Sequence, residues 1–217
     1  SEQALIAAMI PILYPATVQE YIDYGLMGFA MSRYSGCWVG FKCVGDIIES
    51  TASVSIDQDR QNIQNPTDFK FPEDGINIRW PDGPVDQEKR LISVKLKAAQ
   101  AFVRFNKLDR ISHSVSRKHL GIVAPGKAWL NVCQAFDELD LSESEREDMG
   151  IGVFKVAMPW PLEPSQIRDW AEGFEEIIVI EEKRNLIEDQ LARVIYDLPE
   201  TVRPRLIGKY DIDGNLL

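Results

Sequence analysis

The second half of the chain alternates between short apolar runs and amphipathic stretches, which predict buried strands and helices respectively. The predicted strands span 120–124, 151–157 and 176–181, the predicted helices span 127–139, 164–173 and 184–198, and an edge strand is predicted at 206–211 before a turn at 213–214. Strands that alternate with helices at this spacing predict a mainly parallel sheet covered by helices on both faces. The predicted fold class is therefore α/β.

The first fifty residues predict one helix and one strand. Thr17, with Glu20 three residues later, predicts a capping box at the start of a helix over 18–33. The apolar face of this helix is predicted to contain Val18, Ile22, Leu26 and Phe29 or Ala30. The apolar stretch 37–44 predicts a buried strand of the kind found in parallel sheets.

These two elements do not make a complete domain, because one strand and one helix cannot cover a sheet on both faces. The chain also starts with Ser1 rather than Met and continues at once into apolar residues. We therefore expect residues 1–50 to be the last part of a larger α/β unit. We also expect the chain to be an internal fragment of a longer protein.

Residues 51–90 predict a connector, because they hold four prolines, turn dipeptides at 74–75 and 82–83 and only a short alternating stretch at 76–80. Apolar residues at helical spacing then predict a long amphipathic helix over roughly 88–111. This helix and the turn after it are rich in cations: Lys89, Arg90, Lys95, Lys97, Arg104, Lys107, Arg110, Arg117 and Lys118. Such a stretch is either a solvated helix face, the favoured interpretation, or a surface that docks an anion or a partner.

Composition narrows the choice of partners. The chain has 217 residues and a formal net charge of −10, which argues against nucleic acid or an anionic membrane. No apolar run approaches the roughly 20 residues that span a bilayer. Cys37, Cys43 and Cys133 are odd in number and widely spaced, as expected for free thiols in a reducing cytoplasm. Neither they nor His113 and His119 have the spacing of a zinc or iron–sulfur site.

Candidate ligand-binding residues lie where predicted strands end, because ligands of parallel sheets bind at the carboxyl ends of strands. Gly126 and Lys127 lead into a helix whose first amides suit an anion, although a simple β–α turn is the favoured interpretation. Glu181 opens another helix, where capping competes with a catalytic role. Lys42 ends the first strand and is available for an ion pair. No catalytic residue and no metal ligand is predicted, because the Ser-rich turn holding both histidines lacks the acid and oxyanion hole of a triad.

Five stretches, taken together, resemble one enzyme family. They are 15–20 (PATVQE), 32–42 (SRYSGCWVGFK), 122–128 (IVAPGKA), 158–162 (MPWPL) and 179–184 (VIEEKR). In order and spacing they resemble the thiamine-diphosphate-dependent 2-oxoacid:ferredoxin oxidoreductases. The resemblance is closest to the indolepyruvate ferredoxin oxidoreductases with fused alpha and beta subunits, and it covers nearly the whole chain.

The resemblance implies an enzyme that oxidatively decarboxylates an aryl 2-oxoacid on thiamine diphosphate, passes electrons through 4Fe-4S clusters to ferredoxin and delivers the acyl group to coenzyme A. It implies that residues 1–50 close a pyrimidine-binding domain, that 51–90 connect, and that 91–217 form a transketolase C-terminal-like domain. In this family one glutamate activates the thiazolium ring, other residues bind the diphosphate and magnesium, and cysteines hold the clusters. The resemblance places none of these residues within positions 1–217. We therefore expect a non-catalytic segment that binds no cofactor alone.

The resemblance also implies that the segment works with the remaining domains of the same polypeptide in a homo-oligomer. Two other functions stay open. One is a stand-alone acidic interaction module whose basic helix docks a partner. The other is a small-molecule-binding domain that holds an anion, such as the phosphates of coenzyme A, with the loop 124–127 and the basic helix.

Overall fold

A computed structural model describes residues 2–57, 60–78, 80–210 and 214–216. The chain forms two compact units, Ser1–Leu108 and Asp109–Leu217. Within the described ranges, no helix is both long enough and apolar enough to cross a membrane.

The second unit is a five-stranded sheet with helices in the connections. Its elements are β3 (Arg110–His113), β4 (Leu120–Pro125), α6 (Gly126–Glu138), α7 (Glu143–Met149), β5 (Ile151–Val156), α8 (Pro164–Ala171), β6 (Glu176–Val179), α9 (Leu186–Ile195) and β7 (Arg205–Ile207). The strand order is β3-β5-β4-β6-β7, and only β3 runs antiparallel to its neighbour. The predicted α/β class with a mainly parallel sheet is confirmed.

Alternate residues of the central strands point to opposite faces, and each face is buried by its own helices. Val123, Phe154 and Ile177 pack with Trp170 of α8 and Leu191 of α9. On the other face the main buried residues are Ile122, Ala124, Ala128, Val132, Ile151 and Val153, from β4, α6 and β5. The predicted cover of helices on both faces of the sheet is therefore confirmed.

Two elements of this unit were not predicted. The acidic stretch after α6 contains α7, whose N-cap Ser142 and Glu145 form a capping box; its charged sequence has no apolar stripe to reveal a helix. Arg110–His113 forms the edge strand β3, so the helix predicted over 88–111 ends earlier. The predicted edge strand 206–211 appears as Arg205–Ile207, and Asp211 and Asp213 lie outside the described residues.

The first unit is mainly helical. Its elements are α1 (Glu2–Ala7), β1 (Ile12–Leu13), α2 (Val18–Ser35), β2 (Gly40–Phe41), α3 (Gly45–Ile48), α4 (Pro84–Arg90), a π-helical turn (Leu91–Lys95) and α5 (Leu96–Phe105). Over the predicted strand 76–80, residues 76–78 and Trp80 are in turns or irregular structure, and Arg79 lies outside the described residues.

Helix α2 begins as predicted at Thr17, whose side chain accepts the Glu20 amide, while the Glu20 carboxylate accepts the amide of Ala16 at 2.8 Å. Its predicted apolar face was wrong. Ile22, Leu26 and Phe29 are 37%, 52% and 69% exposed. The buried residues of the helix include Tyr24, Met27, Gly28 and Met31. Apolar residues occur around the whole helix, so spacing alone did not select a face, whereas Gly28 lets Leu13 Cδ1 approach to 3.3 Å of where a Cβ would stand.

The predicted buried strand 37–44 is shorter and less buried than expected. Only Gly40 and Phe41 pair, in parallel with Ile12 and Leu13, and both are half-buried. In the described residues β1 is the one strand that β2 pairs with. The stretch 37–44 stops pairing after Phe41, which pairs with Leu13, the last residue of β1.

The basic helix belongs to the first unit. Residues 84–105 form one helical run through α4, the π-helical turn and α5, and Ala98, Ala99, Phe102 and Val103 are buried. Phe102 lies 6.0 Å from the ring of Tyr34 in α2. The compact units therefore divide after Leu108 and not at the predicted boundary before residue 91, because the apolar face of α5 is buried against α2.

A close contact at Gly121 makes the central strand sensitive to added volume. A Cβ atom at Gly121 would lie 2.9 Å from both Ile177 Cγ1 and Trp170 Cη2, which are packed in the core. We expect Gly121→Ala to lower the free energy of unfolding by about 1–3 kcal/mol through overpacking, measured by urea denaturation.

The matched control is Gly25→Ala, because a Cβ at Gly25 meets no atom within 4 Å. In helix α2 alanine should stabilise by up to about 1 kcal/mol. Equal effects of the two substitutions would contradict the packing of β4 against α8 and β6.

Candidate functional site at the carboxyl edge of the sheet

The carboxyl ends of β4, β5 and β6 lie at one edge of the second unit's sheet because these strands are parallel. Three of the predicted candidates, Gly126, Lys127 and Glu181, lie at this edge. Ile180, beside Glu181, donates its amide to Val123 O at 2.9 Å. The structure therefore brings these three to one side of one sheet.

The carboxylate of Glu181 occupies the N-terminus of α9. It accepts the amides of Ile187 at 2.9 and 3.0 Å and of Glu188 at 3.1 Å. Burial raises the pKa of Glu181, and these amide hydrogen bonds oppose the rise. An anion is the ligand that a helix N-terminus favours. Here the chain supplies that anion itself.

Gly126 and Lys127 form the turn from β4 into α6. Gly126 has φ of +42°, a value that glycine adopts without the strain of a side chain. Lys127 Nζ donates to Asn131 Oδ1, one turn along the helix, at 2.6 Å. The geometry matches the β–α turn interpretation, and the role of these residues toward a ligand stays a prediction.

The end of β5 is held by Asp109, which is fully buried. Its Oδ1 accepts the amides of Ala157 at 2.6 Å and Met158 at 3.1 Å. Its Oδ2 has no hydrogen-bond partner in the described structure. Burial raises the pKa of Asp109 to about 7, the two amides oppose that rise, and the charge of Glu163 adds to it.

Glu163 and Gln190 hold the segment that follows β5. Glu163 is 1% exposed and caps α8 by accepting the amides of Ser165 and Gln166. Gln190 of α9 accepts the Leu162 amide and donates to Pro159 O, each at 2.8 Å. The stretch 158–162 therefore has a structural explanation: it is fastened to the N-terminal half of α9.

Lys155 is a buried cation in the middle of β5. It is 0% exposed, and its Nζ lies 3.9 Å from the ring centroid of Trp129, an arrangement that stabilises a desolvated ammonium. Burial raises the pKa of the nearby Cys133 thiol, and the charge of Lys155 opposes the rise.

Lys42, the fourth candidate, lies in the first unit. Its Nζ forms a 2.5 Å ion pair with Glu2 and lies 4.1 Å from the ring centroid of Tyr14. Lys42 therefore makes an ion pair, the role for which the sequence showed it to be available.

The two histidines do not form a triad with the neighbouring serines. Ser116 Oγ donates to Glu147 at 2.5 Å, and His119 Nδ1 lies 2.8 Å from Glu175. Among the described residues, no group of three or more His, Cys, Asp and Glu side chains has a metal-binding arrangement.

The buried charges Asp109, Lys155 and Glu163 were missed by sequence reasoning. Lys155 lies inside the apolar run 151–157, and this was a usable signal for a buried lysine with a specific partner, because a fully buried lysine is rare unless it is paired. Asp109 gave no such signal, since its partners lie 48 and 49 residues away along the chain.

Residues 110–217 match the family model of the indolepyruvate oxidoreductase domain. Curated relatives named indolepyruvate oxidoreductase subunit IorA are 23% identical over 86% of this chain in Methanothermobacter thermautotrophicus and 24% identical over 88% in Pyrococcus abyssi. The second unit belongs to the indolepyruvate oxidoreductase family. The chain spans 28% of the length of these relatives. The family resemblance predicted from the five stretches is confirmed.

A solved structure, the 2-oxoglutarate:ferredoxin oxidoreductase from Magnetococcus marinus with 2-oxoglutarate, coenzyme A and succinyl-CoA bound, has the same fold. It matches 91% of this chain and 38% of its own chain with a TM-score of 0.53 and 13% identity. A split-gene transketolase, an inactive β4 tetramer, matches 48% of this chain and 33% of its own with a TM-score of 0.36 and 18% identity.

The raised pKa of Asp109 makes stability depend on pH. Its pKa is about 7 in the folded chain and 3.8 for the ordinary group, so the fold favours the protonated carboxyl. The preference of the fold for the protonated Asp109 adds its full stabilisation below pH 4. As the pH rises through 7 this stabilisation is lost, and the free energy of unfolding falls by up to about 1.4 kcal/mol per pH unit. Asp109→Asn imitates the protonated form and should flatten this dependence.

The measurement is the urea unfolding free energy of both proteins at pH 5.5 and pH 8. Comparing the two proteins removes the contribution of the other titrating groups, which both contain, including Glu163, the charged neighbour of Asp109. Wild type should lose more stability than Asp109→Asn between the two values, and an identical loss in both would refute a protonated Asp109.

Proposed function

We propose that this chain is a non-catalytic packing and docking segment of an indolepyruvate-type 2-oxoacid oxidoreductase. The whole enzyme would oxidatively decarboxylate an aryl 2-oxoacid on thiamine diphosphate, pass electrons to ferredoxin and deliver the acyl group to coenzyme A. Residues 1–50 would close its pyrimidine-binding domain and the second unit would be its transketolase C-terminal-like domain. The other domains of the polypeptide would be the main partners, in a cytoplasmic homo-oligomer.

One observation supports a non-catalytic role for this segment: the candidate residues at the carboxyl edge of the sheet form hydrogen bonds within the chain itself. Glu181 fills the N-terminus of α9, Asp109 fills the amides after β5, and Lys127 bonds within α6. A hydrogen bond of this kind contributes about 0.5–1.5 kcal/mol when both groups are neutral and about 1.5–3 kcal/mol when one of them is charged. This arrangement supports a structural role for the edge.

The start of α9 does not fit the diphosphate that the family implies. Diphosphate binds free amides or cations, and the first amides of α9 are already held by Glu181. No described group of carboxylates, histidines and cysteines is arranged for a metal or a cluster. The family resemblance implies that other parts of the enzyme bind these cofactors.

The alternative of a basic docking helix is weakened by internal ion pairs. Arg90 binds Asp74 at 3.1 Å and approaches Asp82 at 3.7 Å, and Arg104 binds Asp68 at 2.7 Å. Lys89, Lys97 and Lys107 are exposed, as the solvated-face interpretation requires. A coenzyme A site that uses Lys127 would lose affinity in Lys127→Glu, and unchanged affinity would count against it.

The proposed role of Glu181 is tested by Glu181→Ala in the intact enzyme. Removing the cap of α9 should lower the unfolding free energy by about 1–2 kcal/mol, measured by thermal denaturation. It should leave kcat for indolepyruvate within about threefold, because in the proposed role Glu181 makes no interaction with the reacting atoms in the transition state.

The control is Glu182→Ala, since Glu182 is the exposed neighbour; it should change neither quantity. A catalytic Glu181 would instead lower kcat by about 100-fold or more with stability unchanged. Turnover of a 2-oxoacid by this chain alone, measured as ferredoxin reduction, would likewise overturn the proposal.

A further inference from the structure

The first unit contains a pocket whose wall holds an uncommitted lysine. The cavity measures about 330 Å³, within the range of small-molecule sites. Apolar atoms come from Met9, Ile76, Ile78 and Leu91. Lys95 lines the same cavity and is half-buried. All of these residues belong to the first compact unit.

The aliphatic stem of Lys95 packs against Gly36. A Cβ atom at Gly36 would lie 3.0 Å from Lys95 Cε, 3.5 Å from Lys95 Nζ and 3.2 Å from Ile76 Cδ1. The aliphatic stem of the lysine therefore occupies the space that a side chain at Gly36 would need. A cation held in this way loses less conformational entropy when it binds an anion than a freely rotating one does.

Among the described residues, two cations line the pocket, and they differ in their partners. Arg90 donates to Gly75 O at 2.7 Å and pairs with Asp74 and Asp82. Within the described residues, the side chain of Lys95 makes no hydrogen bond and no ion pair. Its charge opposes the rise in the pKa of the buried Cys37 thiol that burial causes. The ammonium group of Lys95 is thus the available binding group on this wall.

We propose that this pocket binds a small monocarboxylate with an apolar body. The carboxylate would pair with Lys95 Nζ, and the body would cover the side chains of Ile76, Ile78 and Leu91. Asp82 and Glu88 also line the cavity, so a second negative charge on the ligand would be repelled. The site therefore selects monoanions over dianions and charged over neutral ligands. This inference does not depend on the proposed function.

The test is a titration of the intact protein with 3-phenylpropionate, followed by the ¹³C-methyl resonances of its isoleucines. Saturable shifts are expected at Ile76 and Ile78. The neutral amide of the same acid and the dianion phenylsuccinate should bind at least about tenfold more weakly, a difference of about 1.4 kcal/mol.

Lys95→Gln should weaken binding of 3-phenylpropionate at least tenfold, since it removes the charge and keeps most of the stem. The matched control is Lys97→Gln, because Lys97 is exposed on the same helix; its affinity should stay within about twofold of wild type. Unchanged unfolding midpoints establish that both variants are folded.

Three results would overturn the proposal. They are an absence of shifts at Ile76 and Ile78 at millimolar ligand, equal affinities of Lys95→Gln and wild type, and equal affinities for the acid and its amide. If the acid binds but shifts other isoleucines, the ligand occupies a different site, and the assignment to this pocket is equally refuted.

Discussion

Backbone amides that are freed at the carboxyl edge of the sheet need acceptors, and the chain supplies these acceptors as side-chain carboxyl groups. Asp109 serves the residues after β5, Glu163 serves the first turn of α8, and Glu181 serves the first turn of α9. An unpaired buried amide costs about 1–3 kcal/mol. The path of the chain out of β5 and β6 therefore depends on these three acids.

The same carboxylates decide what the edge is able to bind. A helix N-terminus attracts anions through its free amides and its dipole. At α9 the carboxyl group of Glu181 already occupies this position. An external phosphate would have to displace a covalently tethered carboxylate, whose local concentration is far higher than that of any free ligand. At the edge where other α/β proteins bind ligands, the amides after β5 and at the start of α9 are thus engaged by side chains of the chain itself.

The predictability of the fold followed the strength of its periodic signals. β4, β5 and β6 were predictable because both faces of the sheet are buried, which leaves continuous apolar runs. β3 was not, because Arg110 and Ile111 lie exposed on a sheet edge and their pairing with β5 is a long-range choice. Helix α2 was found but turned the wrong way, since packing of β1 at Gly28 selected its buried side. The cap that Glu181 forms on α9 was one of the alternatives that the sequence offered, because that interaction is local.

Gly36 illustrates how one residue meets two demands that the sequence does not reveal as linked. It ends α2 with φ of +70° and donates its amide to Ser32 O, a left-handed cap that favours glycine. The missing side chain also makes room for the stem of Lys95. A larger residue at this position would strain the cap and displace the lysine together. The place of the Lys95 ammonium group in the pocket therefore depends on how α2 ends at Gly36, more than 50 residues earlier in the sequence.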